Sequence, residues 1–315
     1  MKFILAVAVF SLTVASSFAE VDVIYGQDNR RDLFAVTNRL HYTLARSTAG
    51  MVDIRRLAKG RDNAHLDLAA FVTLERAQNI CPSERFSQQI TAPSCTGFLV
   101  GPDTIVTAGH CLLSLPGMTA EDVCKTFAWV FDYSMPTPNH NPGRDISLNN
   151  AYLCKQVIAA QAANGIDFAV IKLNRPVQGR APLKFRTAGK IDNRASLVVI
   201  GHPNGLPTKI SDGGRVLNNE NANLFATTLD TFHGNSGSPV FDAQTGLVEG
   251  ILVMGKADYV PSKKDDPKSC QIVNKCDDLG QNCFVDNLRS PTRFGELVYR
   301  ITNIAGGLQK TLSAR

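Results

Sequence analysis

One stretch dominates the chemistry of this chain: Thr231-Phe232-His233-Gly234-Asn235-Ser236-Gly237-Ser238-Pro239-Val240. Glycines on both sides of Ser236 let the backbone adopt positive φ and let a carbonyl group approach main-chain N–H groups. The expected donors are the amides of Gly234 and Ser236. Serine and glycine are also common in ordinary surface turns, so the stretch alone fits a structural turn as well as a nucleophile.

Short apolar runs bounded by turn residues lie on both sides of this stretch. They occupy residues 97–100, 104–107, 127–131, 168–171, 197–200, 222–229, 239–241 and 247–253. Many short strands at this spacing predict an all-β architecture, closed into barrels or packed as a sandwich. A break at residues 175–190, rich in proline and glycine, divides the strands into two units.

The two ends of the chain have helical spacing instead. In an N-terminal arm over residues 20–61, apolar residues suit a short amphipathic helix: Leu33, Phe34, Val36, Leu40 and Leu44. This arm is either packed on the main body or a prosegment removed on activation. Near the other end, four apolar residues at i, i+4, i+7 and i+11 predict a helix with one apolar face: Leu297, Ile301, Ile304 and Leu308. We therefore expect a first β unit at 62–178, a second at 179–290 and a C-terminal helix within 291–315.

Residues 1–19 have the composition of a secretory signal peptide. A charged start at Lys2 precedes an apolar run over residues 3–14, and small residues end it at Ala19. The run is short for a membrane span and polar sequence follows it at once, so no membrane anchor is expected. We expect a secreted protein, extracellular or periplasmic.

The amino-acid composition, net charge and cysteine count exclude some classes of function. The 315 residues are 44% hydrophobic and 19% charged, which is typical of a globular protein. The net charge of +5 is small and scattered, so nucleic-acid binding is not expected. Eight cysteines in an exported chain predict four disulfides. Zinc at Cys270, Cys276 and Cys283 is the alternative, but they lack C-x-x-C spacing, and we expect no metal.

Two further polar residues lie where apolar strands begin or end. His110 follows the strand at 104–107 and could act as a base, although a histidine beside a cysteine is often structural. Asp167 stands at the mouth of an apolar strand, where a carboxylate needs a partner or caps a turn. Asp145 is the rival acid, but the run after it soon turns polar at Asn149.

A histidine base, an orienting acid and a hydroxyl beside an oxyanion site are the groups that acyl transfer needs. With His110, Asp167 and Ser236 in that order, the chain resembles the chymotrypsin-like (trypsin-fold) serine peptidases, most closely the bacterial branch that includes glutamyl endopeptidases. The resemblance rests on four blocks: residues 95–100, 107–111, 167–173 and 234–239.

The resemblance implies two antiparallel six-stranded β-barrels with the site in the cleft between them. It implies that Ser236 is the nucleophile and His110 the general base, with Asp167 orienting the imidazole. Gly234 and Ser236 would supply the oxyanion hole. Protein or peptide substrates, no cofactor and a monomer are expected. The alternative is a catalytically silent relative that binds partners through the same fold.

The family's bridge beside the catalytic histidine matches Cys95 with Cys111, and Cys124 with Cys154 is the second pairing that we expect. Three pairings of the remaining four cysteines stay open: Cys81, Cys270, Cys276 and Cys283.

Departures from the family bear on activation and specificity. Asn235 replaces the acid that receives a new N-terminal ammonium in the trypsin branch, so that activation route is not expected. Asp230 stands where trypsin-like enzymes keep the pocket acid, which favours cleavage after Arg or Lys. Leu252 replaces the histidine of glutamyl endopeptidases, which disfavours their specificity. His233 is expected at the pocket rim, where it lines the cleft.

Overall fold

The computed structural model describes residues 23–263, 265–266, 268–285 and 295–314, so the predicted signal peptide lies outside the described residues. Strands dominate this part of the chain. They are Ile24–Tyr25 (β1), Arg30–Asp32 (β2), Thr48–Asp53 (β3), Leu57–Lys59 (β4), His65–Leu68 (β5), Cys95–Gly101 (β6), Thr104–Thr107 (β7), Phe127–Phe131 (β8), Ile146–Ser147 (β9), Ala151–Ala163 (β10), Ile166–Leu173 (β11), Ser196–Gly201 (β12), Lys209–Asn218 (β13), Leu224–Thr227 (β14), Pro239–Asp242 (β15), Val248–Met254 (β16), Tyr259–Pro261 (β17), Gln271–Val273 (β18), Lys275–Cys276 (β19) and Glu296–Arg300 (β20). The α-helices are Arg39–Ala45 (α1), Leu74–Gln78 (α2), His110–Leu113 (α3), Ala120–Thr126 (α4) and Thr302–Ser313 (α5).

Six of these strands close the first barrel, in the order β10-β11-β7-β6-β3-β8. Neighbouring strands are antiparallel throughout. Strand β6 is buried along its whole length, and Phe98, Ile105 and Ala169 are fully shielded from solvent. The apolar runs form strands here because each one covers the barrel interior while its neighbours satisfy its backbone hydrogen bonds.

The second barrel has the order β12-β15-β16-β20-β14-β13, and pairing of β12 with β13 closes it. Strand β2 adds to the outer edge of β13. The two barrels pack against each other through a shared apolar core, in which the rings of Phe168 and Tyr299 stack with centroids 5.9 Å apart. The predicted all-β fold of two six-stranded barrels is confirmed.

The predicted boundary of the first barrel at residue 62 is wrong. Strand β3 lies within the predicted N-terminal arm, yet it pairs with β6 and β8 inside the first barrel. A cut after residue 61 would remove β3 and open that barrel, which contradicts a prosegment reaching that far. The helix expected in the arm is present only in part: α1 contains Leu40 and buries Leu44, whereas Leu33 and Phe34 lie in a separate 3-10 turn.

The C-terminal helix is shorter than its apolar spacing indicated. Leu297 belongs to strand β20 of the second barrel, and the helix α5 begins at Thr302. Ile304 and Leu308 are buried on the inner face of this helix, as expected. The periodicity extended into the strand because a buried strand residue and a buried helix residue are both apolar.

Four disulfides connect all eight cysteines, which leaves none free among the described residues: Cys81–Cys270, Cys95–Cys111, Cys124–Cys154 and Cys276–Cys283. The two pairings expected from sequence agree with the structure. The zinc alternative is contradicted, because its three cysteines are disulfide-bonded. None of the described helices has the length and apolarity needed to span a membrane.

Candidate active site

The turn that carries Ser236 connects the end of β14 to β15 and is pressed against the first barrel. Gly234 and Gly237 have φ of +87° and +86°, a conformation that L side chains rarely adopt. A Cβ at Gly237 would lie 2.1 Å from the carbonyl oxygen of Thr96. Both glycines are therefore required by the turn, as its sequence predicts.

Three contacts fix this turn to the first barrel. The Thr96 N–H donates to the carbonyl oxygen of Ser236 at 2.8 Å, and the Thr96 hydroxyl donates to that of Gly234 at 2.8 Å. The Cys111 sulfur lies 3.6 Å from the same Ser236 oxygen. The backbone that carries the serine is thus held against the residues around His110.

His110 and Asp167 face each other across neighbouring parts of the first barrel. The pairing of Ala169 with Thr107 places Asp167 beside the residues that follow β7. One carboxylate oxygen of Asp167 accepts the backbone N–H of His110 at 3.0 Å. The other lies 2.7 Å from His110 Nδ1, so an ionised carboxylate accepts the Nδ1 proton. Both side chains are mostly buried, with 15% and 19% exposed.

The packing around Gly109 makes this arrangement possible. A Cβ on Gly109 would lie only 1.9 Å from the carbonyl oxygen of Gln161 in β10. The chain therefore passes close to β10 before helix α3 begins at His110. The Cys95–Cys111 bridge then links the residue after His110 to the strand that contacts the Ser236 turn.

The rival acid Asp145 lies away from this constellation. It adopts a left-handed conformation in a surface loop, and its carboxylate is 3.1 Å from Arg61 Nε. Its backbone N–H donates to Asp67 at 2.9 Å. The structure thus brings His110 and Asp167 together, whereas Asp145 forms an ion pair at the surface.

Asp230 is placed differently from the pocket role predicted for it. Its carboxylate oxygens accept the backbone N–H groups of Tyr25 at 2.8 Å and Asn29 at 2.7 Å, and only 2% of the residue is exposed. Burial raises the pKa of Asp230 to about 7, against the lowering effect of these two donors. Its oxygens are occupied by the protein's own backbone, which corrects the expectation that they await a basic substrate side chain.

A second buried acid, Glu296, lies beside the same region and was not found from the sequence. It is fully buried and accepts hydrogen bonds from the hydroxyls of Tyr25 at 2.9 Å and Thr231 at 2.6 Å, and from the Lys256 backbone N–H at 3.2 Å. These partners lie 40 to 271 residues away along the chain, so no local pattern signals them.

The two other residues considered for specificity are His233 and Leu252. His233 is exposed next to the turn, and its backbone N–H donates to the Asp258 carboxylate at 3.2 Å. Leu252 is buried in the core of the second barrel. Its carbonyl oxygen accepts the Gly237 N–H at 2.8 Å, so this residue supports the turn through its backbone.

One group of side chains in the described residues brings three potential metal-ligand atoms together: Cys95, His110 and Cys111. The two sulfurs form a disulfide, and a disulfide sulfur is not the thiolate that metals bind. The donor set therefore does not fit a metal centre.

Comparison with known proteins agrees with this geometry. Residues 95–251 match the trypsin-like peptidase domain family. A glutamyl endopeptidase of Bacillus licheniformis is 26% identical over 157 residues, which cover 47% of this chain and 45% of the relative. The chain thus spans less than half the length of this curated relative.

A solved structure described as a Glu endopeptidase in complex with MPD has a similar fold. It superposes with a TM-score of 0.51 at 18% sequence identity, covering 93% of this chain and 100% of that one. The two closed barrels, the matched domain and this structural likeness lead to one assignment: residues 95–251 form a trypsin-like peptidase domain, in a chain that has the two-barrel fold of the chymotrypsin-like serine peptidases.

Proposed function

We propose that this protein is a serine endopeptidase that hydrolyses peptide bonds through an acyl-enzyme. The observation that carries the proposal is the pair of contacts between Asp167 and His110, at 2.7 and 3.0 Å, on the element next to the Ser236 turn. The match of residues 95–251 to the trypsin-like peptidase domain supports the same assignment. A buried carboxylate that fixes the imidazole tautomer is what a histidine base requires.

In this mechanism, the Ser236 hydroxyl attacks the substrate carbonyl carbon and its proton passes to His110 Nε2. Asp167 keeps the other imidazole proton on Nδ1 and stabilises the imidazolium. The amides of Gly234 and Ser236 donate to the oxyanion. His110 then gives its proton to the leaving amine, and water, activated by the same imidazole, hydrolyses the acyl-enzyme.

Labelling with a fluorophosphonate probe tests the reaction class. We expect covalent labelling of the wild-type protein and complete loss in Ser236→Ala. Ser196→Ala is the control, because Ser196 is an exposed serine at the start of β12 and should leave labelling unchanged. Wild-type protein that is folded but unlabelled would contradict the proposal and favour the silent binding protein.

Specificity requires a separate proposal, because Asp230 no longer supports cleavage after Arg or Lys. The name of the bacterial relative favours a second candidate, cleavage after Glu. Leu252, buried and apolar at the position of the family histidine, is unfavourable for that preference. We infer that the primary preference does not depend on an ion pair with Asp230. Peptide reporters ending in Arg, Lys, Glu or Phe test it, and exclusive cleavage after Arg and Lys would contradict the inference.

We also propose that the protein acts outside the cytoplasm. Four disulfides across 315 residues are typical of oxidising compartments. Intact-mass measurement of protein from the culture medium should show all four disulfides and a chain that begins after Ala19. Protein found only inside the cell with reduced thiols would contradict this.

A further inference from the structure

The N-terminal segment, defined here as residues 23–32, is buried beneath the turn that carries Ser236. Its first two described residues, Val23 and Ile24, are fully buried, and only 2% of Arg30 is exposed. Strand β1 of this segment pairs with β19, and β2 pairs with β13 of the second barrel. The segment therefore packs beside the second barrel and extends its sheet through β2, although it precedes the first barrel in sequence.

Asp230 holds the segment from one side. Its two carboxylate oxygens each accept one backbone N–H, from Tyr25 and from Asn29. When ionised, the Asp230 carboxylate accepts these hydrogen bonds more strongly than a neutral group does. Two donors four residues apart thus fix the path of the segment relative to Asp230, which lies six residues before Ser236.

Arg30, which belongs to the segment, contacts the Phe232 ring next to the turn. Its guanidinium makes two hydrogen bonds to Asp28, at 2.9 and 2.7 Å, which fix its plane. The carbon of the same guanidinium lies 4.1 Å from the centre of the Phe232 ring, within cation–π range. Ile24 and Val273 pack against this ring as well. Phe232 is fully buried between these groups.

Phe232 connects the segment to the turn. Its carbonyl oxygen accepts the Asn235 N–H at 2.9 Å, which closes the loop that contains Gly234. The position of the ring therefore sets the position of the amides proposed for the oxyanion hole. Asn235 has no acidic side chain that could fix this turn by binding an ammonium group.

We propose that the N-terminal segment positions the nucleophile turn, with Asp230 and Arg30 as positioning residues that act on Ser236 through Phe232. This inference rests on the proposed peptidase function. The segment replaces, by backbone hydrogen bonds and a stacked guanidinium, the support that the trypsin branch obtains from a buried ion pair.

The test uses the full chain with Asp230→Ala, Arg30→Met and the double variant. Both changes break docking of the same segment, so we expect kcat and the fluorophosphonate labelling rate to fall on the order of 10²-fold, because misplaced catalytic groups cost that much. KM should change less than about threefold, because the change acts on the turn's geometry rather than on substrate contacts. The double variant should be no slower than the slower single variant, because one undocking event explains both.

Asp242→Ala is the matched control. Asp242 also accepts two backbone N–H groups, from Gln244 at 3.0 Å and Thr245 at 2.8 Å, but it lies at the far end of β15. This variant should keep the wild-type kcat. If Arg30→Met does not fold, Arg30→Lys keeps the charge and loses the planar group, and should lower kcat in the same direction.

Three results would overturn the inference: wild-type labelling rates in the folded single variants, losses that multiply in the double variant, or loss confined to Arg and Lys reporters in Asp230→Ala. The last result would indicate that Asp230 acts in the substrate pocket. Failure of the wild-type protein to label would instead overturn the proposed function, so the two failures are distinguishable.

Discussion

Asp167→Asn is the substitution that examines the proposed chemistry most directly. In the wild-type protein both oxygens of Asp167 accept hydrogen bonds, from His110 N–H and from Nδ1. The asparagine has one oxygen and one amide group to offer these two donors. If the oxygen keeps the backbone N–H, the amide group faces Nδ1 as a donor and forces the imidazole proton onto Nε2.

That tautomer places a proton where the base must accept one. We therefore expect kcat to fall on the order of 10⁴-fold at neutral pH, as loss of the orienting acid does in such triads. This corresponds to about 5.5 kcal/mol of transition-state stabilisation.

The assay is hydrolysis of the best reporter peptide, with kcat and KM measured separately. Asp145→Asn is the control, because Asp145 pairs with Arg61 at the surface and should keep the wild-type kcat. A folded Asp167→Asn protein with kcat within tenfold of wild type, or an equal loss in Asp145→Asn, would refute the assigned roles.

Two other expectations concern stability. Replacing Cys81 and Cys270 by serine opens a loop of 189 residues and should lower the unfolding free energy by about 5 kcal/mol, measured by denaturant titration; a loss below about 1 kcal/mol would contradict the role of this bridge. Burial raises the folded-state pKa of Asp230 from 3.8 to about 7. Between these two pH values the folded protein keeps a proton that the unfolded chain releases, so the contribution of Asp230 to the unfolding free energy falls as the pH rises from about 4 to about 7. Asn does not titrate, so the unfolding free energy of Asp230→Asn minus that of wild type should increase by up to about 4 kcal/mol from pH 4 to pH 7. Parallel pH profiles of the two proteins would contradict this.

The fold could be predicted from sequence where strands are local and strongly apolar. Strands β6 and β7 are fully buried, and each has a continuous apolar or β-branched run that turn residues end. Strand β3 was missed because Thr48–Asp53 contains Ala, Gly and Asp and has no clear alternation. Its burial comes from β6 and β8, which begin 42 or more residues later, so tertiary contacts decide its structure.

The residues of the candidate site also differ in how much of their role can be inferred from the sequence. The roles proposed for His110, Asp167 and Ser236 can be inferred from sequence because each residue lies beside glycine or an apolar strand within a few residues. The surroundings of Asp230 could not, because its hydrogen-bond donors lie 205 and 201 residues away. The position of Asp230, six residues before Ser236, identifies it as a candidate pocket residue. The sequence does not show which groups donate hydrogen bonds to its carboxylate oxygens.

Strands from near both ends of the described chain join the sheet of the second barrel, with β2 at its edge and β20 inside it. During synthesis the N-terminal segment emerges first, yet the strands that receive it, β13 and β19, follow more than 170 residues later. Contacts this distant in sequence form late, because the loop-closure entropy must be overcome before they stabilise anything. A partly translated chain therefore lacks the support proposed for the Ser236 turn, and hydrolytic activity should arise only after translation is nearly complete.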